Sequence, residues 1–175
     1  KLFISAKNIS GNKKIKFSVV RYGNVTASRG SIIPFLKSLK NSDYLPITHK
    51  DMTRFNISLD DAVNLVNYAL KNNIGGEIFV PKLPSFKIVD LAKTMYPNKK
   101  IKFIGIRDGE KIHEDLVSKA ESIKTLENKN YYVVLNKYDK KVSNHFKKLN
   151  YKPIKKIFTY SSGTNPVFLN QKDLK

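Results

Sequence analysis

The alternation of strand-like and helix-like segments is the feature that most constrains the fold of this chain. The clearest helix is predicted to begin after Ser58, a favourable N-cap, and to end before the Gly75-Gly76 pair. Short apolar runs precede and follow it, as buried strands do. We predict strands at 15–20, 45–48, 77–80, 101–106 and 131–135, and further helices at 1–10, 31–40 and 85–95. This order indicates an α/β protein with a largely parallel sheet.

The sequence gives no clear domain boundary, because no linker divides the chain. We expect residues 1–135 to form one α/β region and residues 136–175 to form a basic, irregular tail packed on the same domain. Gly11 and Asn12 are predicted to end the first helix. The first residue is Lys1 rather than Met, so we expect the chain to be a fragment of a longer protein or a processed product.

The charge of the chain first suggests a polyanionic partner, since its formal net charge is +19. The basic residues, however, are 29 Lys and only 4 Arg, beside 17 Asn and 17 Ile. This combination is typical of an AT-rich genome, whereas proteins that read bases rely on Arg for guanine. We therefore expect no nucleic-acid partner. A non-catalytic basic module that binds nucleic acid or acidic glycans stays open as an alternative.

Missing residue types exclude several other classes. The chain has no cysteine, which excludes disulfides and thiolate chemistry and suits a reducing cytoplasm. No apolar run reaches the roughly 18 residues of a membrane span, so we expect no membrane partner. Neither a glycine-rich dinucleotide loop nor a P-loop is present. His113-Glu114 begins a zinc-protease motif, but Val117 occupies the place of the second histidine, and we expect no metal.

Tyrosine and lysine at the spacing of a catalytic dyad occur twice, at Tyr96/Lys100 and Tyr151/Lys155. Each pair encloses a proline, which opposes the continuous helix that would align the two side chains. We therefore interpret both matches as coincidences rather than as catalytic dyads.

Two polar loops that follow predicted strands are the best candidates for a binding site. In the first, at 21–31, Gly23 and Gly30 permit close backbone approach to a ligand, and the next helix offers free N–H groups to an anion. In the second, at 104–114, Arg107 can bind a phosphate and Glu110 can accept from sugar or base hydroxyls. A plain capped turn and a surface cluster of ion pairs, respectively, remain the alternatives.

A series of sequence blocks, taken in order, resembles one enzyme family. The blocks are Val19-Val-Arg-Tyr-Gly-Asn-Val, Ser28-Arg-Gly-Ser-Ile-Ile-Pro, Leu45-Pro-Ile-Thr, Met52-Thr-Arg-Phe, Gly75-Gly-Glu-Ile-Phe-Val-Pro-Lys, Ile104-Gly-Ile-Arg-Asp-Gly-Glu-Lys-Ile-His-Glu and Tyr160-Ser-Ser-Gly-Thr-Asn-Pro. They are similar to the inverting UDP-N-acetylglucosamine 4,6-dehydratases, in the polysaccharide-biosynthesis branch of the extended short-chain dehydrogenases. All four arginines fall within these blocks, where the resemblance places the phosphates of substrate and cofactor.

The resemblance implies the fold and the role of this segment. It implies the C-terminal part of an extended short-chain dehydrogenase: the end of a Rossmann parallel sheet plus a small α/β substrate-binding region. The family oxidises sugar C4 with NADP, removes water across C5 and C6, and inverts C5. The catalytic groups are expected upstream of Lys1, in the same protein or in a separate Rossmann half, so we expect this chain alone to be inactive. The complete enzyme is expected to be a homo-oligomer, and a UDP-sugar 4-epimerase is the alternative within the same family.

Site residues follow from the same resemblance. Those expected to bind NADP are Val25, Thr26, Ala27, Ser28 and Arg29, and those expected to bind the UDP-sugar are Asn24, Ile32, Thr48, Arg107 and Glu110. Ala27 stands where relatives commonly have Gly, which indicates a change near the cofactor. Further departures are His49 for Asp, Asn56 for an aromatic residue and Asp108 for Pro.

Overall fold

The structure is a computed structural model that describes residues 2–9, 14–137 and 139–174. The predicted end of the first helix, at Gly11 and Asn12, lies outside the described residues. In chain order the elements are α1 (Leu2–Ile9), β1 (Val19–Val20), β2 (Asn24–Val25), α2 (Ile32–Ser38), β3 (Tyr44–Ile47), β4 (Thr53–Ile57), α3 (Leu59–Asn72), β5 (Glu77–Pro81), β6 (Ser85–Lys87), α4 (Ile88–Met95), β7 (Lys100–Phe103), β8 (Asp115–Val117), α5 (Lys119–Ser122), β9 (Thr125–Glu127), β10 (Tyr131–Leu135), α6 (Lys140–Lys148), β11 (Lys152–Pro153) and β12 (Tyr160–Ser161).

The chain forms two units, each assembled from three separate segments. The first contains Lys1–Tyr22, Asp60–Lys82 and Leu116–Tyr160, and the second contains Gly23–Leu59, Leu83–Asp115 and Ser161–Lys175. Both units contain residues from before and after residue 135, the predicted boundary between the α/β region and the tail. That division stays a prediction.

The first unit is built on a mixed sheet with strand order β1-β5-β10-β9-β11. β1 runs parallel to β5, with Val19 opposite Ile78. The remaining neighbours are antiparallel. The expectation of a largely parallel sheet is therefore wrong for this unit. For β9 and β10 the reason is the short loop between them, because so few residues can join only antiparallel strands. Asn128 forms this loop by accepting hydrogen bonds from the backbone N–H groups of Asn130 and Tyr131.

The core of the first unit lies between this sheet and its helices. Phe79 of β5 and Val133 of β10 are completely buried, and Leu65 of α3 packs against them. The tail contributes as well, because α6 places Phe146 in the same cluster, with its ring centroid 6.2 Å from that of Phe79. The prediction of an irregular tail is wrong at α6. Asp139 caps this helix by accepting from the N–H of Val142 at 2.9 Å.

The second unit holds two smaller sheets, β2-β4-β6 and β3-β7. β2 runs parallel to β4, and β3 runs parallel to β7, whereas β6 is antiparallel to β4. Its core gathers apolar side chains from α2, α4 and several strands: Leu36, Leu45, Ile47, Met52, Phe86, Ile88, Leu91 and Ala92. The combination of helices with parallel strand pairs in both units confirms the α/β class.

Several predicted boundaries shift for local reasons. The helix predicted at 85–95 begins only at Ile88, because residues 85–87 pair with β4 instead of forming a helical turn. The strand predicted at 101–106 ends at Phe103, since Gly105 turns into the left-handed region at φ 87°. The strand predicted at 15–20 is shorter, since β1 comprises only Val19 and Val20, although the carbonyl of Phe17 also accepts from the N–H of Gly76 at 2.6 Å. Within the described ranges, no helix is both long and apolar enough to cross a membrane.

Gly23 has a packing role that differs from the predicted one. A Cβ atom at this position would lie 2.5 Å from the Cβ of Phe55, which is fully buried in β4. Gly23 therefore allows the backbone of the first loop to pass close to β4. Gly30, by contrast, adopts φ 77° and has open space around the position of a Cβ.

Candidate functional site

A cleft of about 310 Å³ opens in the second unit. It is lined by polar and apolar side chains from β2, α2, β3, β4, α4 and the loop after β7: Asn24, Gly30, Ser31, Ile32, Phe35, Pro46, Ile47, Thr48, Met52, Arg54, Ile88, Arg107 and Glu110. All five residues predicted to bind the UDP-sugar are among them. The structure thus brings these residues together, and their binding role stays a prediction.

Parallel pairing of β3 with β7 explains why distant segments meet in this cleft. The two strands are in register, with Ile47 opposite Phe103, and the N–H of Ile104 donates to the carbonyl of Ile47 at 2.9 Å. The residues that follow each strand therefore emerge at the same edge of the sheet, where open α/β folds bind ligands. Thr48 follows β3, and Arg107 lies in the loop after β7.

A tight turn fixes the segment that carries Arg107 and Glu110. The N–H of Glu110 donates to the carbonyl of Arg107 at 3.0 Å, and Gly109 adopts φ 77° between them. The Glu110 carboxylate accepts from the Thr48 hydroxyl at 3.3 Å. The same hydroxyl also lies 3.3 Å from the sulfur of Met52. These contacts place one carboxylate and one hydroxyl beside each other on the cleft wall.

Two arginines bring positive charge to the cleft, and they differ in how firmly they are held. Arg54 donates from Nη1 to the carbonyls of Thr53 and Ile112, at 2.7 and 3.1 Å. Its Nε lies 3.3 Å from Glu114 Oε1, and only 13% of its side chain is exposed. Arg107 is exposed, and the described part of the chain offers its guanidinium no hydrogen-bond or ion-pair partner. Arg107 is therefore the arginine of this cleft that is available to an anion.

Glu114 lies beside Arg54 and is a site residue that sequence reasoning missed. The sequence places it at the end of the polar loop at 104–114 and in an incomplete zinc motif but predicts no binding role for it, and no three metal-binding side chains cluster within residues 2–9, 14–137 and 139–174. Burial raises the pKa of the Glu114 carboxyl above its ordinary value, while Arg54 and Lys111 oppose that rise. The signal that could have revealed its role is the burial of its carboxylate beside a cleft. This burial is visible only in the folded structure and not in the sequence.

The residues predicted to bind NADP run from the end of β2 into the turn before α2, and they do not line the cleft. Thr26 is fixed there, because its N–H donates to the carbonyl of Ile57 at 2.9 Å and its hydroxyl to Asn56 Oδ1 at 2.8 Å. Thr26 and Asn56 instead line a separate cavity of about 380 Å³. Ala27 adopts φ 57°, in the left-handed region that favours glycine. Val25 lies in β2, while Ser28 and Arg29 are exposed.

Other candidate residues lie outside this cleft. Arg21 belongs to the first unit, where Glu121 and the carbonyl of Leu116 accept its guanidinium N–H groups at 2.9 Å. It is therefore not one of the phosphate-facing arginines that the resemblance implied. Tyr96 follows the end of α4, and Tyr151 immediately precedes β11, so neither dyad lies on a continuous helix.

Comparison with known proteins decides the family. A sequence model of the polysaccharide biosynthesis proteins matches residues 1–136. The chain belongs to this family. The chain is 46% identical over 181 positions to the inverting UDP-N-acetylglucosamine 4,6-dehydratase of Campylobacter jejuni, covering 99% of the present chain and 54% of that enzyme. It is also 46% identical over 137 positions to the UDP-glucose 4-epimerase of Rickettsia bellii, covering 75% of the chain and 40% of that enzyme.

A solved structure supports the same assignment. Pen from Bacillus thuringiensis superposes with a TM-score of 0.81 at 30% identity, covering 99% of this chain and 52% of Pen. These similarities confirm the resemblance to the inverting dehydratases and the α/β fold class. The chain spans about half the length of the dehydratase and of Pen.

Proposed function

We propose that this chain is the substrate-binding half of a nucleotide-sugar 4,6-dehydratase that inverts C5 and acts on UDP-N-acetylglucosamine. Its role would be to supply sugars for a surface glycan or polysaccharide. The observation that carries the proposal is the cleft in which Asn24, Ile32, Thr48, Arg107 and Glu110 meet. A UDP-sugar combines a diphosphate with hydroxyl groups, and the cleft pairs an available cation with hydroxyl and carboxylate oxygens.

Each side chain suits one part of such a ligand. The guanidinium of Arg107 can bind the diphosphate with two parallel hydrogen bonds. Glu110 and Thr48, already 3.3 Å apart, can accept from and donate to sugar or ribose hydroxyls. Ser31 adds support, because its buried hydroxyl on the cleft wall has no hydrogen-bond partner among the described residues. A buried polar atom of this kind favours a ligand group that completes its hydrogen bonding.

The turn at 25–29 would hold NADP in the complete enzyme. The exposed Arg29 side chain offers a cation for a cofactor phosphate, and the exposed Ser28 offers a hydroxyl. Bonds from Thr26 to Asn56 and Ile57 keep this turn against β4. When bound, the cofactor would supply hydride acceptance and return.

Catalysis would need groups beyond those of this cleft. The resemblance places the tyrosine-lysine dyad and the glycine-rich loop in an upstream Rossmann half, which would be the principal partner of this region. The complete protein would be a cytoplasmic homo-oligomer. The chain by itself would bind the nucleotide-sugar without converting it.

Calorimetric titration of the purified chain with UDP and UDP-N-acetylglucosamine tests the proposal. Arg107→Ala should raise the Kd for UDP about tenfold or more, the equivalent of roughly 1.4 kcal/mol. Arg29→Ala is the matched control, since it also removes one exposed arginine but should leave the UDP affinity unchanged and weaken NADP instead. No UDP binding at millimolar concentration, or equal UDP losses in the two variants, would refute it.

A UDP-sugar 4-epimerase is the second candidate, favoured by the 46% identity over 137 positions to the Rickettsia bellii enzyme. Comparing UDP-N-acetylglucosamine with UDP-glucose separates the two. The dehydratase assignment predicts several-fold tighter binding of the N-acetyl sugar, whereas preference for UDP-glucose would favour the epimerase.

A further inference from the structure

The carboxylate of Glu114 connects two side chains that line the cleft. Its Oε1 lies 3.3 Å from Nε of Arg54. On its other side is the side-chain amide of Asn24, whose nitrogen can donate to Oε1 at 3.1 Å and to Oε2 at 3.0 Å. Glu114 does not itself line the cleft, but both of its partners do. Its effect on a ligand must therefore pass through them.

The charge of Glu114 determines which way the Asn24 amide faces. With the nitrogen toward the carboxylate, the amide donates to both oxygens, and its own oxygen faces hydrogen-bond donors. The opposite orientation would bring the amide oxygen against a carboxylate, leaving two acceptors in contact with no proton between them. Glu114 therefore orients Asn24 so that its oxygen points away from the carboxylate, and because an amide oxygen has two lone pairs it can accept from a further group there.

Arg54 depends much less on Glu114. The carbonyls of Thr53 and Ile112 accept from its Nη1, and the sulfur of Met52 lies 3.4 Å from its Nη2. These contacts hold the guanidinium in place from the other side. Asn24 is consequently the cleft residue whose geometry rests most on Glu114.

Ser162 holds Glu114 at this position through the backbone. Its hydroxyl accepts from the N–H of Glu114 at 2.9 Å, and its own N–H donates to the carbonyl of Glu114 at 2.8 Å. The same hydroxyl lies 2.8 Å from that of Thr53, next to Arg54 in β4. Ser162 is completely buried. The segment after β12 thus holds the backbone of Glu114 next to β4, and this fixes the position from which the carboxylate side chain extends.

We propose that Glu114 is a positioning residue that orients the Asn24 amide so that its oxygen accepts a hydrogen bond from the bound nucleotide-sugar. The inference rests on the proposed function of the cleft. It adds a specificity rule: the group of the ligand that meets Asn24 must be a donor, such as a hydroxyl or an amide N–H.

Glu114→Gln is an informative substitution, because it preserves size and removes the charge. Arg54 would attract the oxygen of the new amide, which leaves its nitrogen for Asn24. The Asn24 amide would then invert and present its nitrogen to the ligand. We expect the Kd for UDP-N-acetylglucosamine to rise about fivefold, as for the loss of one ordinary hydrogen bond. Glu127→Gln is the matched control, since Glu127 pairs with Lys82 in the other unit.

A double-mutant cycle with Asn24→Ala separates positioning from a general structural effect. If Glu114 acts through Asn24, the double variant should bind no more weakly than Asn24→Ala alone. The inference would be overturned if the double variant lost as much affinity as the product of the two single losses, or if Glu114→Gln left the affinity unchanged. If Glu114→Gln does not fold, Asn24→Asp replaces it: a second carboxylate facing Glu114 should weaken binding more than Asn24→Ala, and equal or tighter binding would overturn the inference.

Failure of the proposed function can be distinguished from failure of the positioning role. If the proposed function is wrong, the unaltered chain will not bind UDP-N-acetylglucosamine, and the orientation of the Asn24 amide can still be tested by NMR. The side-chain amide resonance of Asn24, identified by its absence in Asn24→Ala, should shift in Glu114→Gln and stay in place in Glu127→Gln. An unshifted resonance would overturn the positioning role independently of any ligand.

Discussion

The guanidinium of Arg21 binds the carboxylate of Glu121 through two parallel hydrogen bonds, Nη1 to Oε2 and Nη2 to Oε1, each 2.9 Å long. Glu121 also completes a capping box with Ser118 at the start of α5. Arg21 follows β1, so the pair ties two segments separated by 100 positions in sequence. An arginine that the sequence resemblance associates with phosphates thus has a structural role within the first unit.

Removing this pair should destabilise the first unit. Both side chains are partly exposed, at 31% and 26%, so solvent screens their attraction. We expect Glu121→Gln to lower the free energy of unfolding by about 1 kcal/mol. Urea denaturation measures the change, with Glu127→Gln as a control for an ordinary surface ion pair. An effect no larger than that of the control would show that the bidentate geometry adds nothing.

The same pair predicts a dependence of stability on pH. Hydrogen bonding from Arg21 is the largest influence that lowers the pKa of Glu121, from 4.5 to about 2. Because the folded state holds this proton more weakly than the unfolded state, the stabilisation is complete above pH 4.5 and is lost as the pH falls toward 2. The stability difference between the unaltered chain and Glu121→Gln should therefore shrink over this interval. A difference that stays constant with pH would contradict the assignment.

Backbone conformation at Ala27 predicts a stabilising substitution. Its φ of 57° is strained for a residue with a Cβ, by roughly 1 kcal/mol or more. Ala27→Gly should raise the free energy of unfolding by about this amount, less the greater chain entropy of glycine. Gly30→Ala is the converse control, because it imposes a Cβ at φ 77° in open space and should destabilise by a similar amount. Urea titrations of both variants should give changes of opposite sign.

The sequence predicts the parts of this fold that local patterns encode. The helix after Ser58 and the strands at 77–80 and 131–135 follow from periodicity and turn residues, and α3, β5 and β10 confirm them. β4 escaped prediction, because its inward residues Thr53, Phe55 and Ile57 alternate with Arg54 and Asn56 over only five positions. The start of α4 was misplaced as a consequence, since residues 85–87 pair with this missed strand.

The residues of the candidate site likewise comprise some that the sequence predicts and some that only the structure reveals. Arg107 and Glu110 follow from residue chemistry as well as from the family resemblance, whereas Asn24, Ile32 and Thr48 follow from the resemblance alone, which reports aligned positions and requires no geometry. Glu114 and Ser162 escaped because their roles arise from burial and from contacts across 48 positions, which no local pattern records. The sequence pattern does not predict α6, because only Val142 and Phe146 are buried in a helix of mostly polar residues.

Close packing at Gly23 predicts a strong steric effect. A Cβ there would meet the Phe55 Cβ at 2.5 Å and the Phe55 carbonyl oxygen at 3.1 Å, so the backbone must shift. Gly23→Ala should cost about 1–3 kcal/mol, as overpacking in a well-filled core does. Because Asn24 follows directly, the variant should also weaken UDP binding. Thermal unfolding together with UDP titration checks both effects, and a variant of normal stability would contradict the close approach.

Absence of turnover by the isolated chain is the most direct prediction from the proposed division of labour. Proton transfer to and from the sugar would depend on upstream acid and base groups, and such groups each contribute roughly 100- to 10,000-fold in rate. The purified chain should therefore bind UDP-N-acetylglucosamine but form no 4-keto sugar when NADP is added. Chromatography or NMR of the nucleotide-sugar follows the reaction. Adding the part of the Campylobacter jejuni relative that lies outside its match to this chain tests complementation: product that depends on Arg107 would support the division, whereas clear product from the chain alone would place the catalytic groups within it.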